Sequence, residues 1–191
     1  MIASEGEVAM KKEEINGIFQ DIFSQPYLSA EQIPKLSLYI DQILTLFAEG
    51  SIEEQALTKA MVNNYSKEKM LQPIKGKKYS REQILQILMI CRLKPVLSME
   101  QIKAWNCALM EDTGGEEMLE RILNRSDEQR TFSEATAEFF WTQNQENQTT
   151  DLSTEDCATL VLELRQLSDL FAQAAKKLSQ KTFEEESQRK K

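Results

Sequence analysis

The sequence predicts a mainly α-helical protein, and three observations carry that expectation. Apolar residues recur at three- and four-residue intervals through much of the 191-residue chain, which is the period of one helix face. Only six glycines and four prolines punctuate it, and the alternating β-branched runs that mark half-buried strands are scarce. Ser or Thr stands just before several of the periodic stretches, where its hydroxyl can accept from the first free backbone N–H groups.

The first helix covers residues 12–23, with Ile15, Ile18, Phe19, Ile22 and Phe23 on one stripe. Pro26 ends it, because the residue before a proline is driven out of the α region. A second helix is expected over residues 37–48, with Leu36, Tyr39, Ile40, Ile43, Leu44 and Phe47 on one side and Gly50 as its stop. Thr58 caps a third, expected to reach Leu71. On it Leu57, Met61, Val62 and Tyr65 face one way, while Lys59, Asn63 and Lys67, spaced by four, face the other.

Pro73 breaks that helix, and residues 73–79 read as a short extended hairpin with Gly76 at its tip. Ser80 caps the next helix. Ile84, Leu85, Ile87, Leu88, Met89, Ile90 and Cys91 make it apolar nearly all round, the mark of a central core helix. Pro95 stops it, and Ser98 caps a shorter helix over residues 99–108. Residues 112–115, Asp-Thr-Gly-Gly, read as a linker. Helix signals resume at 116–123 and 133–141, and the Asn/Gln/Thr-rich stretch 143–150 reads as a loop. Ser153 or Thr154 starts the last helix. Its seam, Cys157, Leu160, Leu164, Leu167, Phe171, Ala174 and Leu178, alternates steps of three and four, an a/d heptad pattern. The charged tail after Thr182 is expected to fray.

Composition narrows the function. The chain contains no histidine. This removes the usual base near neutral pH, the Ser/His and Cys/His nucleophile pairs, and His-containing zinc sites. The three cysteines, Cys91, Cys107 and Cys157, are too far apart for a CxxC unit. Their odd number fits a reducing cytoplasm rather than a disulfide framework. There is no Gly-rich phosphate loop, no apolar run of 18 residues, and no basic-then-apolar leader at the N-terminus. The expectation is a non-enzymatic cytoplasmic protein without metal or cofactor.

Net charge is −8, from 23 Lys and Arg against 31 Asp and Glu, which at face value argues against nucleic acid as a partner. The distribution reverses that reading. Residues 59–103 hold ten bases against three acids, +7, and the remainder holds 13 against 28, −15. A basic window between acidic flanks is the electrostatic footprint of a nucleic-acid surface.

The order of elements supplies the geometry: amphipathic helix, loop, capped helix with a polar outer face, proline, basic Gly-tipped hairpin, buried helix, short helix. This is a winged helix-turn-helix plan. Thr58, Lys59, Ala60, Asn63, Asn64 and Lys67 are the expected recognition-helix contacts. Asn pairs bidentately with adenine in the major groove, and Lys reads guanine or neutralises phosphate. Lys75, Gly76, Lys77, Lys78 and Arg81 are the expected wing contacts to phosphates, which position the protein without reading sequence.

The segment 58–71, followed by Pro73, by Lys77-Lys78-Tyr79-Ser80-Arg81-Glu82 and by Leu97-Ser98-Met99-Glu100-Gln101-Ile102, resembles the DNA-binding half of MerR-type regulators. It departs from them at Lys69, where a Gly is usual, and at Asn63, where a basic residue is common. More closely, residues 36–105 resemble a bacterial family catalogued as domain of unknown function 1836. The shared patterns are matched by Leu38-Tyr39-Ile40-Asp41-Gln42, by residues 57–65 and by Lys77-Lys78-Tyr79-Ser80-Arg81-Glu82. The resemblance implies a bacterial transcription regulator.

The expected organisation is a helical arm over residues 1–32, a MerR-like winged helix-turn-helix over 33–110, a linker over 111–115, and a helical C-terminal region over 116–191. Within the last, Leu160, Leu164, Leu167, Phe171 and Leu178 are the candidate dimerisation seam. The expected function is sequence-specific binding of double-stranded DNA by a homodimeric transcriptional regulator. The alternative is a protein-interaction module on the same scaffold, without DNA binding. No small-molecule sensor is recognisable in the C-terminal region.

Overall fold

Seven α-helices dominate the described residues, which in this computed structural model are 8–23, 28–49, 56–110, 115–146 and 152–189. In chain order the elements are β1 (Val8–Met10), α1 (Lys12–Phe23), a 3-10 turn (Ala30–Gln32), β2 (Leu38–Tyr39), α2 (Ile40–Glu49), α3 (Lys59–Lys67), β3 (Lys78–Tyr79), α4 (Arg81–Leu93), α5 (Met99–Met110), α6 (Gly115–Glu146), β4 (Leu152–Ser153) and α7 (Thr154–Arg189). The mainly α-helical expectation holds. No described helix is long and apolar enough to cross a membrane.

The chain divides into two units. One comprises Met1–Gln25 and Arg130–Ala175, the other Pro26–Gln129 and Lys176–Lys191. The second contains the main core. Helix α4 is its axis: Ile84, Leu85, Ile87, Leu88, Met89 and Ile90 are all buried, as an all-round apolar helix requires. Burying each such side chain contributes about 1.5–3 kcal/mol. Around α4 lie Ile43 and Phe47 of α2, Val62 and Tyr65 of α3, Ile102 and Leu109 of α5, and Leu119 and Leu123 of α6. Ser80 caps α4 in a reciprocal box, its hydroxyl accepting from Gln83 N while Gln83 Oε1 accepts from Ser80 N. Ser98 and Gln101 make the same box at α5. Trp105 Nε1 donates to the buried Ser179 Oγ at 2.9 Å, which attaches the end of α7 to this unit.

In the first unit, β1 and β4 pair antiparallel, Val8 opposite Ser153 and Met10 opposite Leu152. Met10, Phe19, Cys157 and Leu160 are partly buried and pack against one apolar cluster of this unit. Of the stripe expected on α1, Phe19 joins that cluster, whereas Ile18 and Ile22 are exposed.

Several expectations need correction. The basic hairpin does not close on itself. Strand β3 pairs antiparallel with β2, Leu38 opposite Tyr79 and Tyr39 opposite Lys78, and residues 72–77 form the loop that brings it there. The two helices expected beyond residue 115, and residues 143–146 of the loop expected after them, are one continuous α6. Its polar interior residues lower helix propensity only slightly each, and residues 116–146 contain neither Gly nor Pro to break it. Gly115 is its first residue; the rest of the expected linker, and residues 147–150 of the expected loop, lie outside the described residues. The assignment of 116–191 to a separate region also changes. Leu119 and Leu123 belong to the main core, so the unit built on α4 reaches past 110 to Gln129 and starts at Pro26 rather than at 33. Helix α7 continues through the expected frayed tail to Arg189.

Candidate nucleic-acid interface

Helix α3 begins where Thr58 leaves an extended backbone and its hydroxyl accepts from Met61 N at 3.2 Å. Val62 and Tyr65 turn inward. Lys59, Ala60, Asn63, Asn64 and Lys67 are all exposed, and with Thr58 they form one outward polar face. The helix ends at Lys67, short of the expected Leu71, because Lys69 adopts φ 55°. This is a Schellman stop: Met70 N donates to Tyr65 O at 2.9 Å and Lys69 N to Ser66 O at 3.1 Å. Buried Met70 and Tyr65 supply the apolar pair at its two ends.

From there the chain is held by three buried amides that the sequence reading did not single out. Asn106 Nδ2 donates to Met70 O at 3.0 Å. Gln86 Oε1 accepts from Gln72 N at 2.9 Å. Gln83 Nε2 donates to Gln72 O at 3.0 Å and to Pro73 O at 3.1 Å. Irregular backbone next to a core needs such partners, and these fix the joint between α3 and the following loop. The sequence signal was available: Gln86 is the one polar residue within the apolar run from Ile84 to Cys91, and Gln83 directly precedes that run.

The loop turns at Gly76, whose φ of 86° lies in the left-handed region that favours glycine. Lys75, Lys77 and Lys78 are exposed around it. Lys78 Nζ lies 4.9 Å from the centroid of the Tyr39 ring, a cation–π contact across the β2–β3 pair.

Arg81 is the correction at this site. Expected to grip phosphate, it is only 6% exposed and faces inward. Its guanidinium donates to both Glu120 carboxylate oxygens at 2.8 and 2.9 Å, and to Ile33 O at 3.3 Å. Glu116 lies 3.5 Å away. The hydrogen bond with Glu120 holds the arginine pKa up and the carboxyl pKa down. Arg92, on the same face of α4 three turns later, pairs with Asp127 at 2.7 Å and donates to Leu28 O at 3.0 Å. Asp127 in turn accepts from Ala30 N at 3.0 Å. The two arginines therefore bind α4 to α6 and to residues 28–33. With both turned inward, the outward charge of residues 59–103 is eight lysines against three acids, +5 rather than +7.

The candidate dimerisation residues lie on α7. Leu160 is half-buried in the cluster with Met10, and Leu167 is half-buried. Leu164 is exposed, and Phe171 and Leu178 are 73% and 68% exposed. Among the described residues no group of three or more metal-ligand side chains comes together.

No curated protein and no solved structure matches this chain. A family profile described as "Domain of unknown function (DUF1836)" matches residues 28–127. The ends of that match are structurally joined, since Leu28 O and the Asp127 carboxylate both bind Arg92. Because the match covers 100 of the 191 residues, the chain belongs to the DUF1836 family.

Proposed function

We propose that this protein is a sequence-specific DNA-binding transcriptional regulator, a homodimer with a MerR-like winged helix-turn-helix as its reading head. The observation that carries the reading is the outward face of α3: Lys59, Asn63, Asn64 and Lys67 exposed on a capped helix, next to a loop that displays Lys75, Lys77 and Lys78. In a major groove, Asn63 and Asn64 pair with adenine edges and Lys59 with guanine or phosphate. The loop lysines neutralise backbone phosphates. The exposed Phe171 and Leu178 support pairing of two chains through α7, which matches a two-fold DNA site.

Binding of duplex genomic fragments across a salt series tests the reading. With roughly six phosphate contacts, affinity falls about a thousandfold between ~50 and ~200 mM salt. A flat response, or no binding at low salt, sinks it. The same exposed apolar face, together with the acidic remainder of the chain, favours a second reading as a protein-interaction module. Lys59→Glu, Lys77→Glu and Lys78→Glu combined separate the two. They abolish DNA binding on the first reading and leave partner capture intact on the second.

A further inference from the structure

Within residues 28–127 the large apolar side chains that stand exposed, among those described, are Leu36 at 62%, Tyr39 at 48% and Ile122 at 38%. A single exposed apolar residue needs no explanation, and Ile122 has none. Leu36 and Tyr39 differ in their surroundings. Leu36 stands two residues before β2 and Tyr39 is the second residue of that strand, which is paired with the strand that leaves the basic loop. Tyr39 stands opposite Lys78 in that register, with the ammonium over its ring. Residues 35–41 and 74–79 together carry Lys35, Lys75, Lys77 and Lys78 against Asp41, a net +3, with all five exposed.

An aromatic ring at the surface, beside an ammonium and among lysines, has the chemistry of a sugar–phosphate backbone. The cations meet phosphate oxygens, and the ring offers an apolar face to the deoxyribose. An acidic protein surface matches the lysines but supplies no equally regular apolar partner for the ring. We infer that Tyr39 and Lys78 form a contact platform for the backbone of duplex DNA, extending the interface from α3 and its following loop onto β2. This rests on the DNA-binding reading above.

The test uses the full chain with the photo-crosslinking amino acid p-benzoylphenylalanine at position 39 or, as control, at position 122. The probe is a random-sequence duplex of about 30 base pairs, three helical turns, at ~50 mM salt. The expected result is a covalent protein–DNA adduct from position 39 and none from position 122. Alongside it, Tyr39→Ala weakens binding by about fivefold, the scale of one exposed cation–π contact. Tyr39→Phe, which keeps the ring, stays within about twofold of the unaltered chain. If the duplex is bound but position 39 gives no adduct, or both positions give one equally, the platform is overturned while the DNA-binding reading stands. If the unaltered chain binds no duplex at low salt, both fall together.

Discussion

Lys69 holds φ 55°, a left-handed conformation that costs an L-residue with a Cβ about 1–2 kcal/mol. The chain accepts that cost because the Schellman bonds from Met70 and Lys69 satisfy carbonyls at the end of α3. Lys69→Gly is therefore expected to raise stability by about 1 kcal/mol, read as a higher urea midpoint with an unchanged slope. Two other residues govern the alkaline limit. Burial pushes the Tyr65 hydroxyl from 10.0 up to about 12 and the Cys91 thiol from 9.0 up to about 11. In the unfolded chain both lose their protons earlier, so between these values the folded state binds more protons. Stability is thus complete below pH 9 and lost as pH rises toward 12. Among the described residues the buried Tyr65 hydroxyl has no hydrogen-bond partner. Tyr65→Phe is expected to add about 1 kcal/mol at neutral pH and to remove the part of the alkaline loss between pH 10.0 and about 12. Thermal melts of both proteins across that range measure it.

At the scale of elements, the stability of the unit built on α4 depends on how α4 and α6 are joined. Glu116, Glu120 and Asp127 share one face of α6, and Arg81 and Arg92 share one face of α4. These arginines look like part of the basic window in a linear reading, yet each is a brace. Arg81→Met leaves Ile33 O and the Glu120 carboxylate without their donor. The expected loss is about 2 kcal/mol, below the cost of breaking a fully buried pair because Glu120 is a third exposed. Lys77→Met, on the exposed loop, changes stability by less than about 0.5 kcal/mol. Chemical denaturation of the two variants checks the contrast; equal effects refute the brace. The joint between α3 and its following loop belongs to this scale as well. There Gln83, Gln86 and Asn106 take backbone partners from an irregular segment.

For the whole molecule, the question is what the exposed apolar side of α7 meets. Phe171 is 73% exposed in a single chain, so Phe171→Glu changes the stability of that chain by no more than about 0.5 kcal/mol. On the homodimer reading it converts a dimer to a monomer in sedimentation and weakens binding to two-fold DNA sites. A Phe171→Glu protein that sediments like the unaltered one removes α7 from the dimer interface. The charge pattern acts at the same scale. On the DNA-binding reading, the outward +5 of residues 59–103 attracts the phosphate backbone, while the acidic remainder of the chain weakens non-specific association.

The linear sequence by itself determined the mainly helical class, the extents of α1 and α4, the caps at Thr58, Ser80 and Ser98, and the inward and outward faces of α3. These follow from periodicities and local hydrogen bonds that span only a few residues. Only the tertiary structure decided the rest. The partner of β3 is 39 to 41 residues distant at Leu38–Tyr39, and nothing local in a two-residue strand specifies it. Arg81 and Lys78 are both cations in one short basic run, yet one is buried against Glu120 and the other lies over Tyr39. Their formal charge is the same; what separates them is which element folds over each, and that is settled by packing between residues far apart in the chain.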